Sequence, residues 1–311
     1  LISFFGNKRF DYTYDNLIRD QKHNYKKYVK FINSLVFYLN KKHNVIGFIN
    51  FNHVYSSHRE IISVTSNEKI PFVVVFKECF KNEHLWKQMT SAYKKRIKKS
   101  NVSRIIVHNH DTKNAILESG IINQKKISIV GQARSDKLFL KSKIKISSRK
   151  KIIFFAVSPH AGLPNFNLNL LGNRSKDESE RKLLIKLREE HNQKILKSLI
   201  NYVEYHDEFD LIVKGKQKFW FNFSDINKNN IFFEAGQPNF DLLLSSSVVV
   251  GYNTTGLIEA VAADVPAISV ELKEERKYKH NYLNVIHQVD DTKFLWKKLD
   301  QILYDKIAQD N

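Results

Sequence analysis

Short apolar runs bounded by turn-forming or charged positions recur along this chain. They alternate with stretches in which apolar residues return every three or four positions. In the first half the runs are 45–51 (VIGFINF), 71–76 (PFVVVF), 103–107 (SRIIV) and 126–130 (KISIV), with helical spacing over 25–39 and 111–118. Continuous Val, Ile and Phe, rather than alternation with polar residues, is the pattern of parallel strands buried on both faces. A basic, polar stretch at 141–151 (KSKIKISSRKK) reads as a linker. The pattern then restarts, with strands predicted at 152–157 (IIFFAV), 211–214 (LIVK), 231–234 (IFFE), 247–251 (SVVVG) and 267–270 (AISV). One long amphipathic helix is predicted over 179–205 and a closing helix over 292–307. The alternation predicts an α/β protein of two doubly wound Rossmann-like domains facing a central cleft. The first would span 1–140 and the second 152–311, with the last helix a candidate to pack back on the first domain. The 311 residues suffice for two cores.

Composition adds a strong basic balance. Fifty-one Lys and Arg against 32 Asp and Glu leave a formal charge of +19. Such an excess predicts an anionic partner: a nucleotide, a phosphorylated lipid, a membrane face or nucleic acid. A coding bias toward Lys, Asn and Ile would give the same excess as solvated surface, and the densest cluster, 94–99 (KKRIKK), falls in a stretch of helical spacing. RNA-binding aromatic signatures and zinc-ligand spacings are absent from the sequence, so no specific nucleic acid is expected. Cys79 is the single cysteine, which excludes an internal disulfide and fits a reducing cytoplasm. No apolar run approaches the ~18–20 residues that span a bilayer. The chain begins at Leu1 and its first half is short, so it is expected to be truncated or one module of a longer protein.

The strongest local pattern is 245–270, SSSVVVGYNTTGLIEAVAADVPAISV. A buried strand ends in Gly251, turns through Tyr252 and Asn253, and opens a helix at Thr254, Thr255 and Gly256. Asn or Thr at a helix start caps free backbone N–H groups, and the same groups with the helix dipole suit a phosphate. Glu259, about one turn further, is in reach of ribose hydroxyls. A generic capped strand–turn–helix would show much of this pattern.

The whole run resembles the donor-binding segment of GT-B glycosyltransferases and their relatives. There a Gly/Ser/Thr-rich turn leads to a helix with an "EA" pair, here Glu259 and Ala260, before a proline, here Pro266, and a strand. Gly131 to Asp136 (GQARSD) is similar to the G-x-x-R-x-D that ends the first domain of bacterial surface-polysaccharide transferases of capsule or lipopolysaccharide type, and it nominates Gly131, Arg134 and Asp136 at the hinge. Lys214-Gly215-Lys216 stands where such families carry a K-x-H phosphate contact, with Lys216 replacing the histidine. The resemblance covers roughly the last 200 residues. Glu259 has no second glutamate eight positions on, where Ala267 stands, so stereochemistry stays open.

The resemblance implies a cytoplasmic glycosyltransferase working at the inner membrane face. It would move a sugar from an NDP- or CMP-sugar to a surface-glycan or lipid-linked acceptor. Lys214, Lys216, Asn253, Thr254, Thr255, Gly256 and Glu259 would hold the donor, with His160 from the loop 159–164 (PHAGLP) approaching its phosphates or sugar. In the first half, His53, Glu60 and Glu78 follow strands and are candidates to take the acceptor proton, with Lys77 beside them to stabilise a phosphate or carboxylated sugar. His108 and His110 follow a strand without an evident third metal ligand. No D-x-D triplet occurs in the sequence, so no cofactor and no metal is expected. Three competing readings remain: a CDP-polyol phosphotransferase, a nucleotide-sugar 2-epimerase, and a non-enzymatic binder of anionic surfaces or nucleic acid, which +19 alone would support.

Overall fold

The structure is a computed structural model that describes residues 19, 21–51, 58–76, 83–96, 99–131, 135–141, 150–159, 174–215, 229–236, 240–252, 254–274 and 283–310. The chain divides into two compact units, Leu1–Gln132 with Pro164–Asp177, and Ala133–Leu163 with Glu178–Asn311. No described helix is long and apolar enough to cross a membrane. The eight strand expectations with described residues at their centres, and AISV at 267–270, all form strands, most trimmed by a residue or more. The expected linker lies outside the described residues over 142–149.

In the first unit, four parallel strands lie side by side in chain order: β1 (Phe48–Asn50), β2 (Phe72–Val75), β3 (Arg104–Val107) and β4 (Ile127–Ile129). Helix α1 (Lys22–His43) precedes them, and α2 (Arg59–Asn67), α3 (Glu83–Arg96) and α4 (His110–Glu118) connect them. Right-handed crossovers between strands in sequential order place every connecting helix on one face. The core agrees, since Phe72, Val74, Ile105, Val107 and Ile127 pack with Ile62, Trp86, Tyr93 and Ile116. Opposite positions along the same strands are far more open, and Ile49 is 78% exposed. The described strands thus make one arm of a doubly wound sheet.

α1 has no side-chain N-cap and no acid in its first turn, but Lys41, Lys42 and His43 meet the negative end of its dipole. It stops at Asn44, whose left-handed conformation (φ 50°) returns its N–H to Asn40 O. Its stripe Tyr28, Ile32 and Val36 packs with Val64 and Ile70. Between α1 and α2 the Tyr25 hydroxyl donates to Glu60 Oε1 at 3.3 Å.

The second unit is doubly wound in full. Its six parallel strands run β10-β9-β8-β5-β6-β7, comprising β5 (Lys151–Ala156), β6 (Asp210–Gly215), β7 (Ile231–Ala235), β8 (Val248–Gly251), β9 (Ala267–Val270) and β10 (His287–Val289). Helices α6 (Arg174–Tyr205) and α9 (Leu295–Asp310) cover one face, through Ile195, Leu199, Leu295 and Leu299 on Phe154, Val213, Val250 and Ile268. Helices α5 (Asp136–Lys141), α7 (Phe240–Leu244) and α8 (Gly256–Ala262) cover the other, with Leu138, Leu243 and Leu257 on Ile153, Ile212 and Val249. Each fully buried Ile, Leu or Val contributes about 1.5–3 kcal/mol. α9 is fixed on α6 by Trp296 Nε1 donating to Ser198 O at 3.0 Å and by the Tyr202 hydroxyl donating to Asp300 at 2.8 Å. β10 and α7 were not expected from the sequence, being too short to show a period.

Burial first, then the Glu60 charge, push the Tyr28 phenol up to about 12 and also raise Tyr25. Folding therefore favours the neutral phenol: its stabilisation is complete below the ordinary value of 10.0 and fades as pH rises toward 12. The ultraviolet titration difference between parent and Tyr28→Phe should show one phenol ionising near 12. Glu60→Gln should lower it without returning it to 10, because burial remains.

Candidate functional site

Strand order in the second sheet reverses at the pair β5–β8, with β6 and β7 on one side and β9 and β10 on the other. Helices leave the strand ends toward opposite faces there, and the crevice between them is where doubly wound sheets bind ligands. Register aligns one row of residues across this C-terminal edge: Glu234, Lys214, Phe155, Gly251, Ser269 and Gln288. Neighbours in one row share a face of the sheet.

Two glycines shape the turn after β8. A Cβ at Gly256 would sit 2.8 Å from Phe155 Cδ2 and Cε2, and one at Gly251 would meet Thr254 Cγ2 at 3.2 Å. The start of α8 can approach β5 only because position 256 has no side chain. Gly256 thus has a packing role alongside the donor role expected from sequence.

Thr254 is half-buried and its Oγ1 accepts from the Gly256 N–H at 3.3 Å. Thr255 is exposed at the N-cap and makes no side-chain cap bond, while its carbonyl accepts from Ile258 and Glu259. The first N–H groups of α8 are therefore paired within the turn, the Gly256 one by a long bond. Glu259 is only 2% exposed and is engaged rather than free.

Lys214, near the end of β6, is 5% exposed, and its Nζ lies 3.6 Å from Glu234 Oε2 on β7. A buried ammonium needs such a counter-charge. Glu234 is more open, so the pair contributes little net stability while keeping a cation at the strand ends.

A polar cluster from α6 closes the crevice from beneath. Arg188 Nη1 donates to Pro159 O at 3.0 Å, just beyond β5, and His191 Nε2 donates to Val270 O at 2.9 Å, at the end of β9. The His191 ring also meets Tyr252 edge-on at 4.8 Å. Asn192 Nδ2 lies 2.8 Å from Arg188 O and 3.2 Å from both Val157 O and the Tyr252 hydroxyl. Asn192 Oδ1 is buried without a hydrogen-bond partner. An unsatisfied buried acceptor costs about 1–3 kcal/mol. The sequence held a signal for this cluster: 188, 191 and 192 continue, at helical spacing, the stripe that becomes apolar at 195, 199 and 202.

The first unit, taken by itself, offers less. His108 follows β3 and its Nδ1 donates to Gly131 O at 2.8 Å, the glycine having φ 78°. Its Nε2 is buried without a hydrogen-bond partner. Asn109 caps α4 by accepting from the Thr112 N–H at 2.9 Å. Glu60 is buried in the first turn of α2 against Tyr25, and Asp136 is exposed in the first turn of α5. His53, Lys77, Glu78, Arg134, His160, Lys216 and Asn253 lie outside the described residues.

No family model matches the chain, and no curated protein matches it by sequence. Solved structures match it by shape. A candidate UDP-N-acetylglucosamine 2-epimerase from Listeria monocytogenes superposes with a TM-score of 0.56 at 11% identity, over 92% of this chain and 72% of its own. The UDP-GlcNAc 2-epimerase from Neisseria meningitidis, solved with UDP-GlcNAc bound, gives 0.55 at 13% identity, over 91% and 74%. Likeness at this identity establishes architecture alone: the fold is of the GT-B type, with two Rossmann-like units, as the sequence led us to expect.

The glycine geometry yields a stability ranking. Gly256→Ala should destabilise the second unit by about 1–3 kcal/mol, the usual cost of overpacking. Gly251→Ala, whose contacts are looser, should cost less. Thermal denaturation of the two variants checks the order, and equal melting points would refute it.

Proposed function

We propose that this chain is a nucleotide-sugar enzyme of the GT-B type. In our reading it is a glycosyltransferase that carries a sugar from an NDP- or CMP-sugar to a surface-glycan or lipid-linked acceptor without a metal. The observation that carries the reading is the strand reversal at β5–β8, with a threonine-rich turn and a buried lysine brought to one edge of the sheet. Binding would exchange the long Gly256–Thr254 bond for one from the N–H to a phosphate oxygen. Lys214 would shift its charge from Glu234 toward the phosphate of the leaving nucleotide, with Lys216, Asn253 and His160 as further donor contacts. Glu259 would serve the ribose.

In the transfer, the bond from the anomeric carbon to the phosphate oxygen breaks and the acceptor oxygen bonds to that carbon. The acceptor's proton passes to a base. Glu60 is enclosed against Tyr25, so the proposal gives this role to Glu78 or His53. Lys77 would stabilise charge beside them, and Gly131, Arg134 and Asp136 would fix the hinge.

A second reading has one specific observation in its favour, the likeness to two proteins described as UDP-GlcNAc 2-epimerases. An epimerase would return the sugar still joined to its nucleotide, inverted at C2, and would need no acceptor.

The test begins with thermal shift against UDP, CDP, CMP, GDP, ADP and dTDP. One nucleotide near a hundredfold excess over its Kd should raise Tm by about 5 °C or more. Thr254→Ala/Thr255→Ala and Lys214→Met should each abolish most of the shift. The matching nucleotide-sugar then separates the readings, by nucleotide release that depends on an acceptor for the transferase or by C2 inversion without one for the epimerase. No shift with any nucleotide would sink both.

A further inference from the structure

The outer side of α1 carries a face that the donor site does not use. Lys22–His43 contains six lysines, two histidines and no acidic residue. With the stripe Tyr28, Ile32 and Val36 turned inward, the opposite side presents Lys26, Lys30, Phe37 and Lys41 at steps of four and seven residues. Lys27, Phe31, Leu35, Tyr38 and Lys42 run beside them at steps of three and four residues, between the outer side and the buried stripe. Phe37 is 62% and Tyr38 54% exposed, and Phe31 and Leu35 are exposed as well. Lys42 Nζ lies 5.5 Å from the centre of the Tyr38 ring, so its stem runs along apolar surface while its charge stays outside. A shallow hollow of about 400 Å³ lies along one flank, lined by Tyr25, Lys26, Val29, Lys30, Asn33 and Ser34.

Charge complementarity selects the occupant. A second copy of the chain would set lysines against lysines. An acidic protein surface would answer the lysines but offers nothing to rings standing among them. A bilayer rich in anionic lipid answers both, with rings at the boundary between headgroups and acyl chains and ammonium groups at the phosphates. We propose that this face of α1 docks the first unit on an anionic lipid surface, with Lys26 and Lys30 at headgroup phosphates and Phe37 and Tyr38 entering the interface. The inference stands apart from the transferase reading, because it concerns α1 alone and its test needs no turnover.

Cosedimentation of the full chain with vesicles tests it, using phosphatidylcholine alone and phosphatidylcholine mixed with phosphatidylglycerol. Binding is expected to the mixed vesicles only, and to weaken as salt is raised. Lys26→Gln/Lys30→Gln and Phe37→Ser/Tyr38→Ser should each weaken it about tenfold. Their circular dichroism and Tm should match the parent's, since all four side chains are solvent-facing. Equal binding to both vesicle types, binding to neither, or variants indistinguishable from the parent would overturn the proposal. Variants that lose binding to single-stranded RNA while keeping vesicle binding would overturn it too.

Discussion

A parallel sheet buried on both faces leaves a problem at its C-terminal edge. The last carbonyls of each strand point out of the ladder, away from bulk water, and need donors. In the second unit α6 supplies them. Arg188, His191 and Asn192 satisfy Pro159, Val270 and Val157, so the ends of β5 and β9 are tied to one helix, and Tyr252 after β8 is drawn into the same cluster. The Thr254–Gly256 turn and the end of β6 are built out from these strand ends. Without these donors the edge would carry several unpaired polar groups at about 1–3 kcal/mol each, a large share of a domain's net stability.

The same helix serves a different purpose at its other end. Beyond Ile195 and Leu199 its stripe reaches Tyr202, which hydrogen-bonds Asp300 of α9, while Trp296 of α9 caps the Ser198 carbonyl. Burial and the Asp300 charge hold the Tyr202 phenol neutral well beyond its ordinary range. α6 is thus polar where it meets the crevice and aromatic where it meets α9. The division follows the strands, whose C-terminal ends in such sheets carry chemistry and whose N-terminal ends carry stability.

Continuous Val/Ile/Phe runs exposed the strands of both units: in the second, burial on two faces erases polar alternation, while in the first the open face itself carries apolar residues such as Ile49 and Val75. AISV at 267–270 became β9 to the residue. β10 (HQV) carries no such signal, because it is only three residues long and two of them are solvent-facing at the sheet's edge. The turn after β8 was legible through Gly251, Thr254 and Gly256. The polar anchors of α6 were legible only as positions: Arg188, His191 and Asn192 continue the inward stripe at helical spacing, but nothing in the pattern tells which strand ends they bond. Glu60 shows the converse difficulty: a carboxylate following a strand reads as a base, and only packing reveals the Tyr25 hydroxyl already bound to it.

The contact between Gly256 and the Phe155 ring bears on how such chains are recognised in genomes. A glycine here satisfies a steric demand between the start of α8 and the sheet, set by an aromatic ring on β5. That demand persists whatever sugar, base or phosphate the crevice accepts. A search pattern built on this glycine would gather proteins by skeleton and mix their chemistries freely. Paired substitutions that shrink residue 155 as residue 256 grows would hide true kin from the same pattern.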